Sequence, residues 1–96
     1  MNNQQILEEL LALLEENNVS VRSEYMGGRG GGLCNVKGKK IFFVDTQAST
    51  AESAARCVDA ILDTIDIEEI FLKPQIRQFI DDHDDRKKQG QKITDF

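Results

Sequence analysis

Hydrophobic and polar positions along this chain repeat with two periods, and the points where the period changes mark its elements. Over residues 4–17, Ile6, Leu7, Leu10, Leu11 and Leu14 recur at i, i+1, i+4, i+5 and i+8, one stripe of an α-helix. Glu8, Glu9, Glu15 and Glu16 take the wet side, and Asn17-Asn18 ends the helix. Val19, Val21 and Tyr25 then alternate with Ser20, Arg22 and Glu24, the pattern of a half-buried strand. Leu33–Lys37 and Lys40–Asp45 flank Gly38 and predict a hairpin turning near Lys37-Gly38-Lys39. Three sequential strands most simply form an antiparallel meander. The run Ile41-Phe42-Phe43-Val44 is apolar on both faces, which places it in the middle of the sheet with helix cover.

The second half of the chain is helical in pattern. Ser49-Thr50-Ala51-Glu52 is a capping-box sequence, with a hydroxyl for the N3 amide and a carboxylate for the cap amide. The helix it opens runs to about Thr64, with Ala54, Val58, Ile61 and Ile65 on its core face beside Cys57 and Leu62. Glu52, Arg56, Asp59 and Asp63 lie opposite, at pairing distances along the helix. Ile67–Leu72 reads either as a short fourth strand centred on Ile70-Phe71-Leu72 or as a helical turn. Pro74 suits the first turn of a last helix with Ile76, Phe79 and Ile80 inward, fraying through Asp81–Asp85. The expected fold class is α+β, with the helices on one sheet face. Residues 1–83 form a single domain, and the polar stretch 84–96 reads as a disordered tail. Open strand edges in so short a sheet leave room for a homodimer.

Composition narrows the function classes. Ninety-six residues with 40% hydrophobic and 30% charged content make one globular domain with one modest core. The net charge of −5 argues against general nucleic-acid binding, which rests on phosphate neutralisation. Charge is unevenly placed: residues 19–45 hold five bases against two acids, whereas 46–85 hold three against ten. A local anion site therefore fits only in the first of these sectors. No apolar run reaches membrane-spanning length and no signal-peptide pattern opens the chain, so a cytoplasmic protein with reduced thiols is expected. Cys34 and Cys57 lack CxxC spacing and a histidine pattern, and read as two buried structural thiols.

The feature that ordinary folding does not ask for is Gly27-Gly28-Arg29-Gly30-Gly31-Gly32, five glycines in six residues. Such a cluster costs backbone entropy and suits a positive φ, a close approach to the backbone, or a flexible link. As a nest of N–H groups with Arg29 as charged partner, it is the candidate contact for a small anionic ligand or an acidic protein partner. The standard fingerprints fail on it. GxGxxG from Gly28 needs glycine at Leu33, and a P-loop ending at Gly38-Lys39 needs Ser or Thr at Lys40. The acidic run Asp81-Asp82-His83-Asp84-Asp85 lacks converging geometry for a cation and reads as a solvated face. Asp59 and Asp63, at i and i+4, are the weak metal candidates. They also fit a solvent face paired through Arg56, which is the preferred reading of the pair.

Residues 38–63, a strand, a capped linker and a helix, resemble the core of minimal zinc metallopeptidases of the ImmA/IrrE type. On that pattern Asp59-Ala60-Ile61-Leu62-Asp63 falls where the family has HExxH. Aspartates replace both metal histidines and Ala60 replaces the general-base glutamate, so the resemblance implies a catalytically degenerate scaffold. The whole chain is also similar to a small uncharacterised bacterial family with a GGLC-like strand start, here Gly31–Cys34, which implies no activity. With no base–nucleophile pair, signature motif or cofactor pattern, the sequence favours a non-enzymatic binding or interaction domain. A degenerate metallopeptidase-like domain is the alternative.

Overall fold

In the computed structural model, residues 1–28 and 31–94 are described, with side chains to residue 85. Helix α1 spans Asn3–Glu16. The Asn2 side chain accepts from the Gln5 amide at 2.9 Å, and the Gln5 side chain accepts from the Asn2 amide at 3.0 Å, a reciprocal cap that satisfies two orphan donors. At the other end Asn18 takes φ 67. The amides of Val19 and Asn18 there reach back to the carbonyls of Leu14 and Glu15, a left-handed stop that short polar residues tolerate. Leu7, Leu10, Leu13 and Leu14 are buried.

Three strands follow: β1 (Ser20–Glu24), β2 (Gly32–Val36) and β3 (Lys39–Asp45). The sheet is mixed, in the order β1-β3-β2, with β1 parallel and β2 antiparallel to β3. The expected meander is therefore wrong. A meander would have put β2 at the centre, a strand with exposed Cys34, Asn35 and Val36. The centre goes instead to β3, whose apolar run can be buried on either side, as its pattern asked. Lys37 and Gly38 both have positive φ, 52 and 81, the backbone of a two-residue hairpin turn matched to strand twist. The glycine segment thus joins two strands, β1 and β2, that lie on opposite sides of β3.

Helix α2 spans Thr50–Thr64. Ser49 Oγ accepts from the Glu52 amide at 3.1 Å, and the Glu52 carboxylate lies 3.9 Å from the Arg56 guanidinium. The Asp66 side chain accepts from the Glu68 amide at 3.1 Å and caps a 3-10 turn, Ile67–Glu69. The expected alternative of a fourth strand at 67–72 is thus not taken, and the helical turn is. A side chain that caps its own backbone competes with strand pairing. Helix α3 spans Pro74–Thr94 and so enters the polar stretch 84–96. The side chains beyond residue 85 and the structure of residues 95–96 lie outside the described residues.

Helices α1 and α2 pack on each other and both meet the sheet, while α3 packs on α1 and α2. One core cluster joins Leu10, Leu14, Val19, Phe42, Val58, Ile61, Ile76 and Ile80, with Val21, Leu33 and Val44 against it. Along β3 the alternate residues Ile41 and Phe43 are half-buried and stand apart from that cluster. No helix among the described residues is long and apolar enough to cross a membrane.

Candidate functional site

The four described residues of the glycine segment, Gly27, Gly28, Gly31 and Gly32, separate into different local roles. Gly27 and Gly28 have φ 70 and 80 and form the exposed turn leaving β1. Arg29 and Gly30 lie outside the described residues. At Gly31 an added Cβ would overlap the Phe43 carbonyl oxygen outright and stand 2.5 Å from its carbonyl carbon, so backbone meets backbone there. Gly32 opens β2 opposite Phe43. The start of the segment is tied down by Asp45, only 2% exposed. Its Oδ1 accepts from the Met26 amide at 3.2 Å and the Gln47 amide at 2.9 Å. Sequence reading missed this anchor, although an Asx carboxylate two residues before a turn amide is a usual turn signal.

Asp59 and Asp63 are brought together with the end of that segment. A cleft of about 520 Å³ is lined by Gly32 and Leu33 of β2, by Arg56, Asp59, Ala60, Leu62 and Asp63 of α2, and by Asp84 of α3. At its border His83 Nε2 donates to Asp59 Oδ1 at 2.9 Å. His83 thus belongs with α2 rather than to a purely solvated acidic face. Its position was readable: Ile76, Ile80 and His83 fall at i, i+4 and i+7, one stripe turned toward α2. Among the described residues the cleft is lined by three carboxylates and one guanidinium, a balance that favours a cationic occupant. Among the described residues no three His, Cys, Asp or Glu side chains are grouped to hold a metal ion.

The thiols divide. Cys57 is buried and Cys34 is exposed, both unbonded to each other, so the expectation of two buried thiols is corrected for Cys34. Burial pushes the Cys57 thiol from 9.0 up to about 12, because the charged thiolate loses its hydration. A thiol so placed is a poor nucleophile.

The second face of the sheet is a different surface. Ser20, Arg22 and Glu24 of β1, Lys39, Ile41 and Phe43 of β3, and Gly32, Cys34 and Val36 of β2 share it by strand alternation and register. Val36 is 45% exposed, and Tyr25, just past the end of β1, is 74% exposed. Comparison of the chain with protein-family models, with curated proteins and with solved structures found no match in any of the three.

Proposed function

We propose that this chain is a non-enzymatic interaction domain, offering the sheet face away from α1 and α2 to a protein partner. The observation that carries this reading is the pair Ile41 and Phe43. Both are apolar, on the central strand, and outside the core cluster, which holds Phe42 and has Val44 packed against it. A three-stranded sheet buried on one face needs no aromatic on the other. Covering two such side chains stabilises a complex by about 25 cal/mol per Å² of apolar surface removed from water. Arg22 beside Phe43 in register, and Lys39 two residues before Ile41, suit an acidic rim on the partner. Tyr25 and Met26, exposed at the start of the glycine segment, extend the surface to the loop 27–32.

The test compares wild type with Ile41→Lys/Phe43→Lys in affinity purification with quantitative mass spectrometry, alongside sedimentation velocity. A partner held by wild type and lost by the double variant, at an unchanged circular dichroism spectrum, is the expected result. If self-association is what disappears, the partner is a second copy of the chain. Identical capture and sedimentation by both proteins would sink the reading and return the glycine segment, as an anion site, to first place. The degenerate-metallopeptidase alternative gains no specific observation from the cleft at Asp59 and Asp63, where His83 already holds one carboxylate oxygen.

A further inference from the structure

β2 is one edge of the sheet, and the hairpin fixes which of its backbone groups face outward. A two-residue turn at Lys37-Gly38 makes Val36 and Lys39 the closing hydrogen-bonded pair. Alternation along an antiparallel ladder then makes Cys34–Ile41 and Gly32–Phe43 hydrogen-bonded pairs, with Leu33–Phe42 and Asn35–Lys40 between them. The N–H and C=O of Leu33 and Asn35 therefore aim away from β3. Among the described residues no backbone group of another element bonds to either. The parallel partner β1 protects the other side of β3, so this antiparallel edge is the open template on the hairpin.

Below that edge, on the side of the helices, lies the cleft lined by Leu33, by the carboxylates of Asp59, Asp63 and Asp84, and by the guanidinium of Arg56. Residues directly opposite in a ladder share a face, so the side chain of an incoming residue paired with Leu33 enters this cleft. Its neighbours on either side point to the other face, beside Gly32 and Cys34 and next to Ile41 and Phe43.

Resting on the interaction-domain reading, we infer that the β2 edge docks an extended segment of a partner protein that alternates apolar and basic side chains. The backbone of the segment bonds to Leu33 and Asn35. A lysine or arginine opposite Leu33 sets its charged end among Asp59, Asp63 and Asp84, and the flanking apolar residues lengthen the Ile41–Phe43 row. This is strand addition, in which main-chain bonds supply affinity and alternate pockets supply specificity. The hydrogen bond from His83 keeps the Asp59 carboxylate in place at the cleft. A second copy of the chain fits worse: residues 32–36 contain no base, and a two-fold pairing of β2 would bring two acidic clefts edge to edge.

The probe is a capped, fluorescently labelled heptapeptide of alternating valine and lysine, titrated against the full chain. Controls are the same peptide with glutamate for lysine and a block-ordered isomer with its lysines contiguous. The expected result is saturable binding of the alternating peptide, with slowed amide exchange at Leu33 and Asn35. Binding by both controls should be at least tenfold weaker. Asp63→Asn/Asp84→Asn should weaken binding about tenfold, and more salt should weaken it further. Asn35→Pro removes an outward N–H that β3 does not use, so it should abolish binding at a nearly unchanged melting temperature. No binding at millimolar peptide, equal binding of the glutamate or block peptide, or protection confined to β1 would overturn the inference. So would a β2-mediated dimer that Asn35→Pro dissolves. These outcomes are independent of the Ile41→Lys/Phe43→Lys test. If that variant loses its partner while the peptides fail, the edge inference falls and the interaction reading stands.

Discussion

Gly31→Ala puts a single methyl group between two backbones, and its cost can be worked from the geometry. The new Cβ would stand 2.5 Å from the Phe43 carbonyl carbon and overlap the oxygen. Carbon atoms in contact settle near 3.5 Å, so the carbon alone asks for a retreat of about 1 Å and the overlapped oxygen asks for more. Neither side can yield by turning a side chain, because both are main chain. The retreat falls on the first rung of the ladder, Gly32 with Phe43, whose hydrogen bonding contributes about 1 kcal/mol. Overpacking strain adds about 1–3 kcal/mol, and the lower entropy of unfolded alanine returns about 0.4–1 kcal/mol. The net loss is about 1–4 kcal/mol, a fall in melting temperature of roughly 5–30 °C for a domain of this size. Gly28→Ala is the internal comparison. It needs positive φ, 80, which Gly31 does not, but meets nothing within 4 Å, and should cost only about 1 kcal/mol. Urea and thermal melts followed by circular dichroism measure both. If Gly31→Ala proves as stable as Gly28→Ala, the close approach to Phe43 does not exist and Gly31 is only a flexible link.

The two faces of β3 can be separated by truncation: Phe42→Ala, at 1% exposure, should lose about 3–5 kcal/mol. Phe43→Ala should lose less than half of that, and equal losses would mean that both faces are covered. A thiol reagent should modify Cys34 in the native protein and Cys57 only after unfolding, counted by mass spectrometry. With the folded Cys57 thiol raised from 9.0 to about 12, its contribution is intact below pH 9. Above that pH the unfolded chain ionises first, and stability falls by about 1.4 kcal/mol per pH unit. In Cys57→Ala that share of the slope disappears, and an unchanged slope between pH 9 and 10 would contradict the burial. Phe71, 87% exposed in the link between the 3-10 turn and α3, should tolerate Phe71→Ser within about 0.5 kcal/mol.

Local signals are legible in the sequence, and long-range ones are not. The stop at Asn17-Asn18, the serine cap of α2 and the Lys37-Gly38 turn are each decided by backbone chemistry within a few residues. Strand order is a global choice. Two expectations pulled against each other: sequential pairing favoured β2 at the centre, and the apolar run Ile41–Val44 favoured β3. Burial won, because an apolar strand at an edge would leave both hydrophobic faces and backbone groups partly wet. The same limit applies to the cleft. Asp59 and Asp63 were picked out for their spacing, but His83 and Asp84 reach it only through the direction that the 65–73 link gives to α3. Of the glycine cluster, crowding at Gly31 depends on a strand 12 residues further on, which no local rule can see.

The parallel pairing of β1 with β3 also sets an order of events for the folding chain. Ser20 meets Ile41, 21 positions later, and β1 has no strand beside it until β3 has been made. The β2–β3 hairpin, closed by a two-residue turn, needs no such wait, and short loops close faster than long ones. Assembly therefore starts in the middle of the chain, and the N-terminal helix and strand arrive later, on a prebuilt edge. A chain caught before that arrival, or one that loses β1, has β3 stripped along the side that β1 covers. That opened form carries two bare strand edges and an uncovered Phe42 at once, the combination from which strand-to-strand aggregation begins.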